Sequence, residues 1–264
     1  MVARQMSFEL KVKGICFFFC SLENFHLKKA KKMSFANKVI LITGASSGIG
    51  ADAAVHLAKK GASIAMVGRN QENLNSVSDK IKSFGAPNPL IIVADVTTGE
   101  RIIEETVTHF GRLDVFINNT GIVAPYSIQT IKLHEFDRII NVNVRSAIHL
   151  SQLAVLHLAK SKGNILNVSS VYSTVAKANT LAYCISKAAM DQMTKCAALY
   201  LASKGIRVNA INPAHIRIPI VETGFGMTPQ QVKKYFGSME KLAPLGRIGN
   251  CSGGFASHWS TFDC

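Results

Sequence analysis

The chain is short of acid: 16 Asp and Glu stand against 30 Lys and Arg in 264 residues, a formal charge of +14. It also has no Cys-x-x-Cys pair. Its six cysteines compose no disulfide framework, and zinc or dithiol redox chemistry is not expected. The eight histidines are scattered, without the spacing of a His-Glu-x-x-His helix, so no metal site is expected. No run approaches the ~18 apolar residues of a membrane-spanning helix. There is no Lys/Arg stripe interleaved with aromatics and no nucleic-acid motif, so no nucleic-acid partner is expected. The excess of base reads as a solvated surface that can help attract a phosphorylated ligand.

What is present is regular. Apolar residues make up 48% of the chain, enough to fill a sizeable core. From Lys38 to Asn212, β-branched apolar runs alternate with longer helical patterns. The strand candidates are VILITG (39–44), SIAMVG (63–68), LIIVADV (90–96), LDVFINN (113–119), GNILNVSS (163–170) and IRVNAIN (206–212). Near-continuous apolar strands separated by helices that stop on glycine predict an α/β fold with a doubly wound parallel sheet of Rossmann type. Residues 37–249 are expected to form this domain. Residues 1–36, with the cluster GICFFFC, are expected to be an N-terminal extension, disordered or arising from the assigned start codon. Residues 250–264 form an atypical tail.

The turn TGASSGIG (43–50) follows the first strand and opens the first helix. Gly44, Gly48 and Gly50 let the backbone turn tightly and let a pyrophosphate approach the helix N-terminus, where free N–H groups and the dipole favour an anion. The end of the second strand reads AMVGRN. A carboxylate there would bond a ribose 2′-hydroxyl and mark NAD; Gly68 stands in its place and Arg69 follows, which favours the 2′-phosphate of NADP(H). Further along, Tyr183 and Lys187 in YCISK stack one turn apart if helical.

With NNTG (118–121), Asn143, Ser170 13 residues before Tyr183, and INPA (211–214), these motifs give the chain its resemblance to the short-chain dehydrogenase/reductase family, in its compact single-domain form. The resemblance covers roughly 37–249. It implies that Tyr183 is the general acid when a carbonyl is reduced and the base when an alcohol is oxidised. It implies that Lys187 lowers the tyrosine pKa from its usual ~10 and binds the nicotinamide ribose. Ser170 would polarise the substrate oxygen, and Asn143 would hold a water connecting Lys187 to solvent. For the cofactor it points to Gly44, Ser46, Gly48, Ile49 and Gly50 at the phosphates and adenosine. Asp95 and Val96 would flank the adenine, with Asn118 and Gly121 beside the adenosine ribose. Asn118 and Ser169 could equally serve only backbone groups at strand ends.

The chain departs from the family pattern at Thr120 (usually Ala), Ala214 (usually Gly) and Ile218 (often Thr). The segment 227–242 falls where the family covers its substrate. After residue 249 the family normally continues with a helix and a last strand, which the tail does not spell. The expected function is therefore an NADP(H)-dependent oxidoreductase acting on a small hydrophobic carbonyl or alcohol. It resembles 3-oxoacyl reductases or steroid, retinoid and alcohol dehydrogenases. The other class of reading is a shortened, catalytically incomplete cofactor-binding product. A cytoplasmic location is expected, and a homo-oligomer is compatible with the family.

Overall fold

The computed structural model describes residues 35–243 and 245–250. Six parallel strands form one sheet: β1 (Val39–Thr43), β2 (Ser63–Gly68), β3 (Leu90–Val93), β4 (Val115–Asn118), β5 (Asn164–Val168) and β6 (Arg207–Ile211). Their spatial order is β3-β2-β1-β4-β5-β6. All six expected strands are present, within a residue or two except β3. That strand stops at Val93 because Asp95 caps a 3-10 turn, Val96–Thr98, by accepting from Thr97 N at 2.9 Å.

Strand periodicity sorts the core into two layers. Ile40 and Ile42 of β1 pack with α1 (Gly48–Lys59) and α2 (Gln71–Lys82). Val39 and Leu41 face the opposite layer, with α3 (Glu100–Phe110), α5 (Ser146–Ser161) and the end of α6 (Leu181–Leu201). Helix α4 (Leu133–Ile140) runs into α5 through a π-helical turn, Asn141–Arg145. Phe35, 8% exposed, already belongs to the first layer, so the packed unit begins before residue 37.

A chain of buried amides ties α5 and α6 to the sheet. Asn118 Nδ2 donates to Ser151 Oγ (3.1 Å) and Asn167 Oδ1 (2.9 Å), and Asn167 Nδ2 donates to Thr194 Oγ1 (2.8 Å). At the N-terminal ends of β1 and β4, Asp114 accepts from Val39 N and from both Lys38 and Arg112. Burial pushes its carboxyl pKa up, and these donors outweigh burial and hold it below the usual range.

Beyond the sheet, β7 (Ile216–Arg217) pairs with β8 (Gly249–Asn250), and α7 (Ile220–Phe225) packs on α8 (Pro229–Leu242). Helix α8 starts with a capping box: Thr228 N donates to Gln231 Oε1 and Thr228 Oγ1 accepts from Gln231 N. Among the described residues, β6 is an edge strand, and no helix is long and apolar enough to cross a membrane. The expectations for residues 1–34 and 251–264 lie outside the described residues.

Candidate active site

Strand order reverses between β1 and β4. In an open parallel sheet, that switch point at the carboxyl ends of the strands forms a crevice for ligands. A cleft of about 960 Å³ lies there. It collects the residues after β1 (Gly44, Ser46, Gly48, Ile49), after β2 (Arg69), after β3 (Asp95, Val96) and after β4 (Gly121). Ser170, Tyr183 and Lys187 close its other side. Thr120, Ala214 and Ile218, the three departures from the family pattern, line it too.

The glycine turn is built to carry an anion. Gly44 (φ 66°) and Gly48 (φ 55°) are left-handed, and a Cβ on Gly50 would fall onto the Gly44 carbonyl. Ser47, the N-cap residue of α1, makes no side-chain cap, so the first N–H groups of the helix stay available to a phosphate. Asn119 braces this turn by donating to Thr43 O (2.9 Å) and Gly44 O (3.1 Å). The motif NNTG contains Asn119, but its spacing gives no hint which asparagine does this. The side chain of its neighbour Asn118 joins the buried amide chain and does not line the cleft. Gly50 likewise serves the turn from behind.

At the end of β2, a Cβ on Gly68 would lie 3.1 Å from Ser46 Cβ, so the position is crowded against any larger residue. Arg69 is exposed, with Nη1 3.7 Å from Asp95 Oδ2. Burial raises the Asp95 pKa, but two Thr97 hydrogen bonds and Arg69 bring it below the ordinary carboxylate value.

Tyr183 and Lys187 lie on one face of α6, with Lys187 Nζ 5.6 Å from the tyrosine ring centroid. Lys187 is 3% exposed and donates to Val168 O at 2.7 Å. Ser170 Oγ accepts from Tyr172 N (3.2 Å) and lies 3.5 Å from the Pro213 carbonyl, to which it can donate. Burial raises the phenol to about 12, with the Ser170 hydroxyl pulling the other way. Burial also lowers Lys187 to about 8. Lys187 is not among the groups that lower the phenol here, where burial dominates. Desolvation acts against both charged forms, and the ammonium spends a donor on the backbone.

Asn143 is fully buried in the π-helical turn, a feature that recurs at functional sites. Its Oδ1 accepts from Ile122 N (2.8 Å), and its Nδ2 donates to Ile122 O (2.9 Å) and Ser186 Oγ (3.0 Å). This fixes the loop after β4 against α6. The Asn143 amide nitrogen is thereby fully used, and Oδ1 carries one acceptor bond. Gly121 lies between the two groups: a Cβ there would be 3.5 Å from Lys187 Nζ and 3.7 Å from Asn143 Oδ1. Among the described residues, no three His, Cys, Asp or Glu side chains gather as a metal site.

The outer wall of the cleft carries groups that no spacing in the sequence brings together. Tyr172 hydroxyl lies 2.8 Å from His215 Nε2, and Lys177 Nζ donates to the Tyr235 hydroxyl at 3.3 Å. Tyr235 and Phe236 come from α8, so the segment expected to cover the substrate does lie over the cleft.

The short chain dehydrogenase family matches residues 38–225, and the chain belongs to that family. Across 220 residues it is 38% identical to an uncharacterized oxidoreductase of Thermotoga maritima, covering 82% of this chain and 86% of that one. It is 34% identical to the 3-oxoacyl-(acyl-carrier-protein) reductase FabG of the same organism, covering 82% and 87%. A short-chain dehydrogenase/reductase of Caenorhabditis elegans, solved with cofactor, superimposes with a TM-score of 0.78 at 32% identity, covering 86% of each chain. The family is one of oxidoreductases that use nicotinamide dinucleotides, and the uncapped helix and glycine turn fit such a group.

Proposed function

We propose that the chain is an NADP(H)-dependent oxidoreductase interconverting a carbonyl and an alcohol, with Tyr183 as the general acid and base. The observation that carries this reading is the gathering of Tyr183 with the buried Ser170 and Lys187 on one side of the cleft at the carboxyl end of the sheet. The phenol is held protonated at neutral pH. A protonated phenol is the form needed to donate to a carbonyl oxygen gaining negative charge. Ser170 Oγ aligns that oxygen, and the Lys187 ammonium stabilises the phenolate left after donation.

When bound, the dinucleotide supplies or accepts the hydride. The turn at Gly44, Ser46, Gly48 and Ile49 would hold its phosphates, Asp95 and Val96 its adenine, and Lys187 its nicotinamide ribose. Gly50 and Asn119 keep the turn in shape. Asn143 positions Lys187 and Gly121 by clamping the loop after β4. The small residue at position 68 and the exposed guanidinium at 69 favour a 2′-phosphate. The carbonyl substrate named for the FabG relative accords with reduction as the working direction.

The test is NADPH oxidation by the purified chain over a panel of ketones and aldehydes, with NADH in parallel. Turnover that survives Tyr183→Phe would sink the mechanism. Binding of NADPH without turnover by wild type would favour the incomplete-product reading. For the cofactor, Gly68→Asp combined with Arg69→Ser should move preference from NADPH toward NADH, and an unchanged ratio would remove Arg69 from the site.

A further inference from the structure

A substrate approaching Tyr183 meets a lysine held in an aromatic box. Lys177 Nζ lies 5.1, 5.3 and 5.6 Å from the ring centroids of Tyr235, Tyr172 and Phe225. These rings come from three separate parts of the chain: the turn after β5, the end of α7, and α8. Its one hydrogen bond among the described residues goes to the Tyr235 hydroxyl, and it forms no ion pair with a described carboxylate. Of the other charged side chains at the cleft, Glu135 binds Arg138 at 2.8 Å, Arg69 faces Asp95, and Lys187 is tied to the Val168 carbonyl.

An ammonium has three donors, and Lys177 uses one of them on Tyr235. By accepting that bond, the Tyr235 hydroxyl leaves its own proton to give. Aromatic faces hold a cation in place but do not neutralise its charge. The charge reaches across the wall: His215 is lowered by burial and by Lys177. The wall is also continuous with the reacting group. Tyr172 packs edge-on against His215 at 5.8 Å and against Tyr183 at 6.4 Å. Tyr183 and Lys177 therefore share Tyr172 as a neighbour, a spacing that one short molecule can bridge.

Resting on the oxidoreductase reading, we propose that Lys177 and the Tyr235 hydroxyl form an anion-binding subsite, and that the substrate is an oxo or hydroxy compound carrying a carboxylate a few bonds from the reacting carbon. The carboxylate supplies the counter-charge that Lys177 lacks. Tyr235 couples this contact to α8, so an anionic substrate draws the covering helix onto itself.

The experiment measures NADPH oxidation with 4-oxopentanoate, 5-oxohexanoate and 6-oxoheptanoate, each beside its methyl ester. A charged hydrogen-bonded contact predicts that wild type favours the best acid over its ester by about 10- to 100-fold in kcat/KM. Lys177→Met should erase that ratio, mainly through the KM of the acid. Lys177→Arg should retain most of it, and Tyr235→Phe should lower it several-fold. A lysine that only braces the lid would lower acid and ester together. An unchanged ratio in Lys177→Met, or no acid preference in wild type, would overturn the subsite. If no ketone is turned over at all, the oxidoreductase reading fails separately. Calorimetric binding of 5-oxohexanoate then decides: binding lost in Lys177→Met supports the subsite, and binding that is equal or absent in both proteins overturns it.

Discussion

Two walls of one cleft differ in how they are built. The wall holding Tyr183, Lys187 and Ser170 is made from one helix and one strand end, backed by the buried clamps of Asn143 and Asn167. The opposite wall, with Lys177, His215, Phe225 and Tyr235, is gathered from loops and two short outer helices. The first is locked by backbone and amide hydrogen bonds inside the core. The second rests on ring contacts and a small satellite cluster around Phe236. On the proposed reading, chemistry that must not vary sits on the rigid side, and recognition sits on the side whose parts can be exchanged without disturbing the sheet.

The largest way to break this contrast is Tyr183→Phe. The change leaves the ring and removes the proton donor, so reduction should fall by about 10²- to 10⁴-fold. A steady-state rate within tenfold of wild type would move the acid to another residue, with Tyr172 the nearest phenol.

The next effect is pH dependence, and its sign separates function from stability at one residue. Tyr183, raised to about 12, keeps its proton throughout the accessible range. Lys187, lowered to about 8, loses its charge as pH rises through that value. Reduction should therefore decline above pH 8. Stability moves the other way. Between about 8 and the ordinary lysine value of 10.5, the unfolded chain binds the proton and the folded chain does not. Its contribution to stability thus rises with pH across that window, and the full cost of burying the charge is present below it. Denaturation of wild type against Lys187→Met at several pH values reads the second trend. A difference between the two proteins that stays flat with pH would show that Lys187 is not desolvated.

One substitution behind the glycine turn and one in the outer helix α8 give a sharper contrast. A Cβ at Gly50 collides with the Gly44 carbonyl, a backbone atom that cannot swing aside. Gly50→Ala should cost about 1–3 kcal/mol and weaken NADPH binding. Gly237, inside α8, has nothing within 4 Å of the same methyl group. Gly237→Ala should stabilise by about 0.5–1 kcal/mol, since alanine loses less backbone freedom in a helix. Urea titration of both variants tests the pair, and equal signs would contradict the difference between the two positions.

The same division explains how much the sequence disclosed. The sheet was legible because its strands are buried on both faces and spell unbroken apolar runs between glycine-terminated helices. The interval of four between Tyr183 and Lys187 was legible because helix geometry alone makes them neighbours. Asn118 and Asn119 were not separable: adjacent strand-end residues point to opposite sides, and one register step decides which meets the turn. The balance acting on the Tyr183 phenol was not legible, because a nearby cation is visible in the sequence and the depth of burial is not. Lys177 was visible only as one charge in a neutral stretch. Its aromatic box exists only after segments up to 63 residues apart, Tyr172 to Tyr235, have been folded together.

Thr120 offers the smallest effect and tests whether the rigid wall is as fully satisfied as it looks. Among the described residues its Oγ1, buried and pressed toward the space beside Gly44, finds no hydrogen-bond partner. An unpaired buried hydroxyl costs about 1–3 kcal/mol. Thr120→Ala removes that cost and also removes a methyl group worth about 0.8 kcal/mol of burial. The net gain should be near 1 kcal/mol, a rise in Tm of about 2–4 °C for a domain of this size. Alanine also restores the residue usual in the family at this position. Thermal denaturation without cofactor measures the first effect, and NADPH titration shows whether the hydroxyl serves the ligand. A stability loss in the variant would mean that the hydroxyl has a partner on this wall, and the contrast in order between the walls would then be larger than drawn.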